Sequence, residues 1–211
     1  MVVSIEIIED KLTLSFDIKT DNSDSDFFAK KMSANLSDVV YENIKIIPSQ
    51  GDISLIIVPD IKQIDKLGNF YRYNGNVQIV LVGRDKHELL ASGTFPVDSV
   101  RKLDKNNALS AAAKNSSDKV GKWLKEKLNT IATKKIGTSV VSIKYTSEEN
   151  VHKQIKKTGD KLRAMRGVIS VRYVNMDSSG KKYNYRVVFL KDMFANGIDN
   201  EIYATLDANI K

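Results

Sequence analysis

The chain contains no cysteine, and this absence removes several kinds of chemistry from consideration. A chain without thiols forms no disulfide, offers no thiolate nucleophile and cannot build a cysteine-ligated zinc site. Only two histidines are present, His87 and His152, and they lie too far apart in sequence for a short metal-binding motif. We therefore expect no bound metal and no other cofactor.

The sequence also lacks the motifs of common enzyme classes. It contains no G-x-S-x-G serine-hydrolase turn, no G-x-x-x-x-G-K-[ST] phosphate loop and no G-x-G-x-x-G dinucleotide loop. No combination of a nucleophile and a base can be recognised either. We predict that the protein is not an enzyme and that it has no catalytic residues.

Long hydrophobic runs are missing as well. The longest are only strand-sized, as at residues 55–58, so no transmembrane segment is predicted. The first residues have neither the basic region nor the long apolar stretch of a secretory leader. Two locations fit the sequence: the periplasm or cell envelope, with a leader absent from this chain, and alternatively the cytoplasm.

The composition is that of a folded protein with an uneven charge distribution. Hydrophobic residues make up 42% and charged residues 28%, and the net charge is +7. Residues 99–182 form a basic tract with 20 Lys and Arg but only 7 Asp and Glu. This tract either solvates the surface or attracts an acidic or polyanionic partner, and the sequence leaves both open, as it does the oligomeric state.

The first part of the chain predicts strands and two helices. Two strands are expected within residues 3–18, joined by a turn at 9–11, followed by a helix over 26–41. Short strands between 44 and 95 are close enough for antiparallel hairpins, and a long Ala-rich helix covers about 105–131. These elements predict a first domain over residues 1–133.

A second domain is predicted over residues 139–211, after a linker at 134–138. It has the order β-α-β-β-α, with a helix that ends at Gly167 and strands at 168–174 and 183–190. The predicted fold class is thus α+β: two small domains, each a mainly antiparallel sheet packed against helices.

Two strands carry tyrosines in alternation. Tyr71 and Tyr73 share one face of a predicted strand, and Tyr183 and Tyr185 share one face of another. Such tyrosines either pack in the core or supply contact area to a partner through a ring with a polar tip. They are therefore candidate binding residues.

A lysine stripe lies on the predicted helix that ends at Gly167. Lys153, Lys157 and Lys161 recur every four residues, opposite the apolar face. Combined with exposed tyrosines, such a stripe could bind nucleic acid, although no base-reading motif accompanies it. Alternatively, the lysines only solvate the helix.

Two segments resemble known cell-envelope modules. Residues 76–95 and 106–128 resemble the strand pair and Ala-rich helix of curli-secretion-type lipoproteins, TolB amino-terminal domains and flagellar assembly protein T. Residues 161–190 resemble the core of POTRA repeats. The resemblance implies a non-enzymatic interaction or assembly module whose partner is another envelope protein. Nucleic-acid binding is the alternative function, and carriage of a small apolar ligand between sheet and helices is the third.

Overall fold

The computed structural model describes residues 2–39, 41–67, 70–145, 151–176, 182–194 and 196–206, with the backbone alone at 65–67. Its strands are β1 Val2–Ile8, β2 Leu12–Ile18, β3 Ile44–Ile46, β4 Ile53–Leu67, β5 Phe70–Gly83, β6 Leu89–Asp98, β7 Ile136–Lys144, β8 Val168–Met176 and β9 Lys182–Leu190. Its α-helices are α1 Ser23–Ser37, α2 Lys105–Thr130, α3 Val151–Ala164 and α4 Ile198–Leu206. The α+β class predicted from the sequence is confirmed.

The chain forms two compact units, which differ in extent from the predicted domains. The four-stranded unit comprises Met1–Lys11, Gly83–Glu88 and Ile131–Lys211, and the five-stranded unit comprises Leu12–Val82 and Leu89–Thr130. The predicted linker at 134–138 is structured, because it covers the end of a π-helical turn, Ile131–Lys135, and the start of β7.

The two strands predicted at the start of the chain are present, but they lie in different sheets and do not form a hairpin. Strand β1 pairs with β7, from Val2 opposite Lys144 to Ile8 opposite Thr138, and so lies in a different sheet from β2. This long-range ladder also buries Val3 in the core of the four-stranded unit. The turn propensity of residues 9–11 could not reveal this pairing, because the stabilisation from the ladder and from the burial of Val3 arises only when distant strands meet.

The five-stranded unit has the strand order β3-β2-β4-β5-β6. Strand β2 runs parallel to both β3 and β4, since α1 lies between them in sequence and makes the crossover. The sheet is therefore mixed, while the predicted hairpin between β5 and β6 is antiparallel as expected. Helix α1 begins at an Asn22 cap, whose side chain accepts a hydrogen bond from the Ser25 amide at 2.8 Å.

The four-stranded unit has the order β1-β7-β9-β8, and all of its strand pairs are antiparallel. Helices α3 and α4 contribute to its core, through residues such as Leu162 and Ile202. Gly167 has a φ of +81°, which fits its predicted place just beyond the end of a helix. Within the described residues, no helix has the length and apolar character needed to cross a membrane.

Candidate binding surface

Of the two candidate tyrosines on β5, in the five-stranded unit, one is half-buried and the other is buried. Tyr73 is only 1% exposed, and its hydroxyl donates to Asp24 Oδ2 at 3.0 Å. Burial and this hydrogen bond raise the pKa of Tyr73 well above its usual value. Tyr71 is half-buried, and its backbone exchanges two hydrogen bonds with Lys102 at 2.7 and 3.1 Å. Tyr73 thus packs in the core, and the backbone beside Tyr71 is already paired.

The three lysines of the predicted stripe on α3 differ in their surroundings. Lys153 and Lys157 are exposed. Lys161 is half-buried, and its ammonium group donates to the carbonyl oxygen of Thr205 at 3.2 Å, near the carboxyl end of α4. A cation is favourable there because the last carbonyl groups of a helix carry partial negative charge. The structure therefore gives Lys161 a role in holding α4.

The tyrosines predicted on β9 lie beside two that the sequence analysis missed. Tyr145 follows β7, and Tyr173 lies on β8. The rings of Tyr145 and Tyr183 are 5.4 Å apart between centroids, and Tyr173 lies 6.5 Å from Tyr183 and 6.0 Å from Tyr185. These distances are typical of interacting aromatic pairs. We call these four residues the tyrosine cluster.

One member of the cluster anchors α3 on the sheet. Tyr185 is 2% exposed, and its hydroxyl donates to the Ile155 carbonyl oxygen at 2.9 Å. The Tyr145 hydroxyl lies 3.3 Å from that of Tyr185 and 2.8 Å from Thr158 Oγ1. Burial raises the pKa of Tyr185, the hydrogen bond with Tyr145 adds to the increase, and Arg163 opposes it. Tyr185 is thus a neutral structural residue, not one that a partner reaches directly.

Next to the tyrosine cluster, the end of β8 carries exposed side chains. On β8, Tyr173 lies opposite Tyr185 and Met176 lies opposite Tyr183. A β-bulge between Tyr173 and Asn175 adds one residue to β8, so that Tyr173 and Met176 share a face despite their odd spacing. These two side chains are 46% and 47% exposed. Together with half-buried Tyr183, they form an apolar ledge at the end of the sheet.

Strand β8 lies at the edge of the described sheet, and a segment of the protein's own chain covers its first part. The Asp85 amide donates to the Ile169 carbonyl at 2.9 Å, and the Val171 amide donates to Asp85 Oδ2 at 2.8 Å. The Arg163 guanidinium donates to the Val171 carbonyl at 3.3 Å. Lys86 secures the covering segment by donating to the Ala164 carbonyl at 3.0 Å.

The second part of the edge differs from the covered part. In the described part of the chain, no hydrogen bond of this kind reaches the outer side of residues 173–176. Val174, within this stretch, is 53% exposed. We call residues 173–176 the open edge. A strand end that combines unpaired backbone groups with exposed apolar side chains is a surface suited to protein binding.

The other features of the described residues are less suited to binding a ligand or partner. A groove of about 220 Å³ in the five-stranded unit is lined by Tyr41, Glu42, Asn43, Ile44, Lys125, Leu128 and Asn129. Burial raises the pKa of Tyr41 to about 12. This mixed polar lining does not match a carrier of small apolar ligands. Among the residues described, no group of three or more Asp, Glu or His side chains could hold a metal ion.

The chain is distantly similar to several solved structures. No family model and no curated protein sequence matches the chain. A Xanthomonas campestris protein of the DUF330 family is 13% identical, with a TM-score of 0.40, over 58% of this chain and 88% of that chain. PelC from Paraburkholderia phytofirmans, which was solved as a dodecamer, is 12% identical, with a TM-score of 0.38, over 60% of this chain and 97% of that chain.

A minor lipoprotein from Acinetobacter baumannii is 8% identical, with a TM-score of 0.31, over 56% of this chain and 92% of that chain. None of these three belongs by name to the curli-secretion, TolB, flagellar or POTRA families, so that finer resemblance stays a prediction. Similarity at this level does not assign the chain to a family.

Proposed function

We propose that the chain is a non-enzymatic protein-binding module of the cell envelope, and that it binds an extended segment of another protein along the open edge. The observation that supports this most directly is the open edge of β8, which has no further strand beside it among the described residues and which carries the exposed side chains of Tyr173 and Met176. The envelope location rests on the resemblance of residues 76–95 and 106–128 to envelope modules.

The backbone of β8 is arranged to accept a further strand. The outer side of β8 is the side away from β9. Ile169 and Val171 direct backbone hydrogen-bonding groups to this side, where Asp85 and Arg163 bind them. Because these groups alternate along a strand, those of Tyr173 point to the same side. A peptide added here would gain backbone hydrogen bonds, and its alternate side chains would contact the ledge.

Nucleic-acid binding is the second candidate, and the structure supports it less well. Sequence-tolerant binding of single strands requires exposed aromatic faces on which bases stack. In the tyrosine cluster, Tyr185 is buried and Tyr145 and Tyr183 are half-buried, so Tyr173 alone offers an exposed ring. Lys161 is bonded to α4, which leaves Lys153 and Lys157 as the exposed members of the predicted stripe. A protein partner uses the open edge directly, whereas a nucleic acid would not.

Photo-cross-linking in cells that produce the protein natively tests the proposal. Benzoylphenylalanine replaces Tyr173 in one variant and Phe70 in a control, because Phe70 is an aromatic residue of similar exposure, 42%, in the five-stranded unit. We expect irradiation to produce a protein adduct from position 173 and not from position 70. Fractionation of the same cells should place the adduct in the envelope.

The outcomes separate the candidates. An adduct to RNA or DNA at position 173 would support the second candidate and overturn the first. Equal adducts from both positions, or none from position 173, would show that the open edge is not the binding surface. Recovery of the adduct in the cytoplasm would leave a protein-binding role but remove the envelope assignment.

A further inference from the structure

We infer that the segment bound at the open edge carries an acidic side chain that pairs with Lys156. This inference rests on the proposed function and specifies the chemistry of the partner. It follows from the way the protein already occupies the first half of β8, because the residue that covers that half is itself an acid.

Asp85 shows what this edge accepts. Its backbone amide binds the Ile169 carbonyl, as an added strand would, and its carboxylate receives the Val171 amide at 2.8 Å. The same carboxylate lies 3.7 Å from the Nε of Arg163, on the flank of α3 that faces β8. The covered half of the edge thus combines backbone pairing with an ion pair to α3.

Lys156 repeats the position of Arg163 two helical turns earlier. Residues seven apart lie on the same flank of a helix, and the rise between them is about 10 Å. Helix α3 runs opposite to β8, because only a short connection, 165–167, separates them. A distance of about 10 Å corresponds to roughly three strand residues. Since Arg163 binds at Val171, Lys156 lies level with the open edge.

Among the described residues, no acidic side chain forms an ion pair with Lys156 on this flank. The Lys156 side chain is exposed. Asp160, the next acidic residue along α3, is paired with Arg163 at 3.1 Å. Lys157, by contrast, lies on the other flank, one turn before Lys161 and its bond to α4. An acidic side chain on the bound segment would therefore find its partner in Lys156.

The same charge argues against a second copy of this chain as the occupant. Self-pairing of two β8 strands across a twofold axis would bring two copies of Lys156 to one edge. Like charges at close range oppose such pairing, whereas an acidic segment of a different protein is attracted. We therefore expect the full chain to sediment without association through this edge.

Short random peptides displayed on phage and selected on the full chain provide the probe. We expect the selected peptides to be enriched in Asp and Glu among apolar residues, and to bind more weakly as salt is raised. Lys156→Glu should weaken a selected peptide by about tenfold, since it replaces an attractive pair with a repulsive one. Lys157→Glu is the matched control, with the same charge change on the other flank, and should weaken binding by no more than about twofold.

Two further measurements separate the inference from the proposed function. Tyr173→Pro removes an edge amide and should abolish peptide binding, whereas Tyr173→Phe should preserve it, with circular dichroism confirming the fold of both. If the peptides bind and respond to Tyr173→Pro but not to Lys156→Glu, the acidic specificity is wrong and the proposed function stands. Equal losses in both lysine variants would likewise overturn the pairing with Lys156. If no peptide binds, or Tyr173→Pro has no effect, the proposed function fails.

Discussion

The two strands that carry a tyrosine pair differ in what lies beside them. On β5, Tyr71 is half-buried and Tyr73 is buried, and on β9, Tyr183 and Tyr185 repeat that pattern. The hydroxyl of Tyr73 donates a hydrogen bond to a carboxylate oxygen, Asp24 Oδ2, whereas that of Tyr185 donates one to a backbone carbonyl oxygen.

The surroundings of the two pairs separate a packing role from a binding role. The backbone of Tyr71 is closed by two hydrogen bonds to Lys102. The tyrosines of β9 instead lie next to β8, the strand at the edge of the described sheet, whose residues 173–176 form the open edge. Identical alternation in sequence thus produces a sealed core in one unit and, in the other, a core that extends to a free edge. The backbone that lies beside each tyrosine-bearing strand, and not the tyrosine pattern, makes the difference.

The largest expected effect tests the division between buried and exposed tyrosines on β9. Tyr185→Ala should lower the free energy of unfolding by about 3–5 kcal/mol, because it leaves a cavity beneath α3 and removes the bond to Ile155. Tyr183→Ala, at a half-buried position, should cost clearly less. Urea unfolding of the full chain measures both. Similar small losses would mean that Tyr185 is not the anchor of α3.

A smaller effect is expected where the covered half of β8 meets the open edge. Asp85→Ala removes the acceptor of the Val171 amide and the partner of Arg163, and should cost about 1–3 kcal/mol. Hydrogen exchange at the Val171 amide should then approach the faster rate expected at Tyr173. Unchanged protection at Val171 would show that Asp85 does not cover the edge in solution.

The smallest effect concerns the hydroxyl groups of the two buried tyrosines. Tyr73→Phe removes a bond to the charged Asp24 and should cost about 1.5 kcal/mol, while Tyr185→Phe removes a bond to a neutral carbonyl and should cost about 1 kcal/mol. Thermal unfolding of the two variants checks the order. A larger loss for Tyr185→Phe would remove the distinction between the two environments.

The sequence was a good guide to local structure. Alternation predicted the strands around Tyr73 and Tyr185, helical spacing predicted α2 and α3, and Gly167 was placed correctly beyond a helix end. These predictions succeed because they depend on side-chain period and backbone conformation, which are properties of a few adjacent residues. The α+β class follows from the order of such elements.

The candidate site was only partly accessible in the same way. Tyr183 and Tyr185 were identified as candidates, but Tyr145 and Tyr173 were not, since nothing in their local spacing links them to β9. Tyr173 and Met176 are three residues apart, so regular alternation places them on opposite faces of a strand. A bulge, which depends on the pairing of β8 with β9, reverses that assignment.

By itself, the sequence determined which segments are strands and helices, because periodicity and glycine conformation are local. Only the tertiary structure decided that β1 pairs with β7, that Asp85 accepts a hydrogen bond from the edge of β8, and that Lys161 donates one to α4. Each of these depends on contacts between residues far apart in the chain. Their free energy appears only when the sheets and helices have assembled, and no pattern of neighbouring residues contains it.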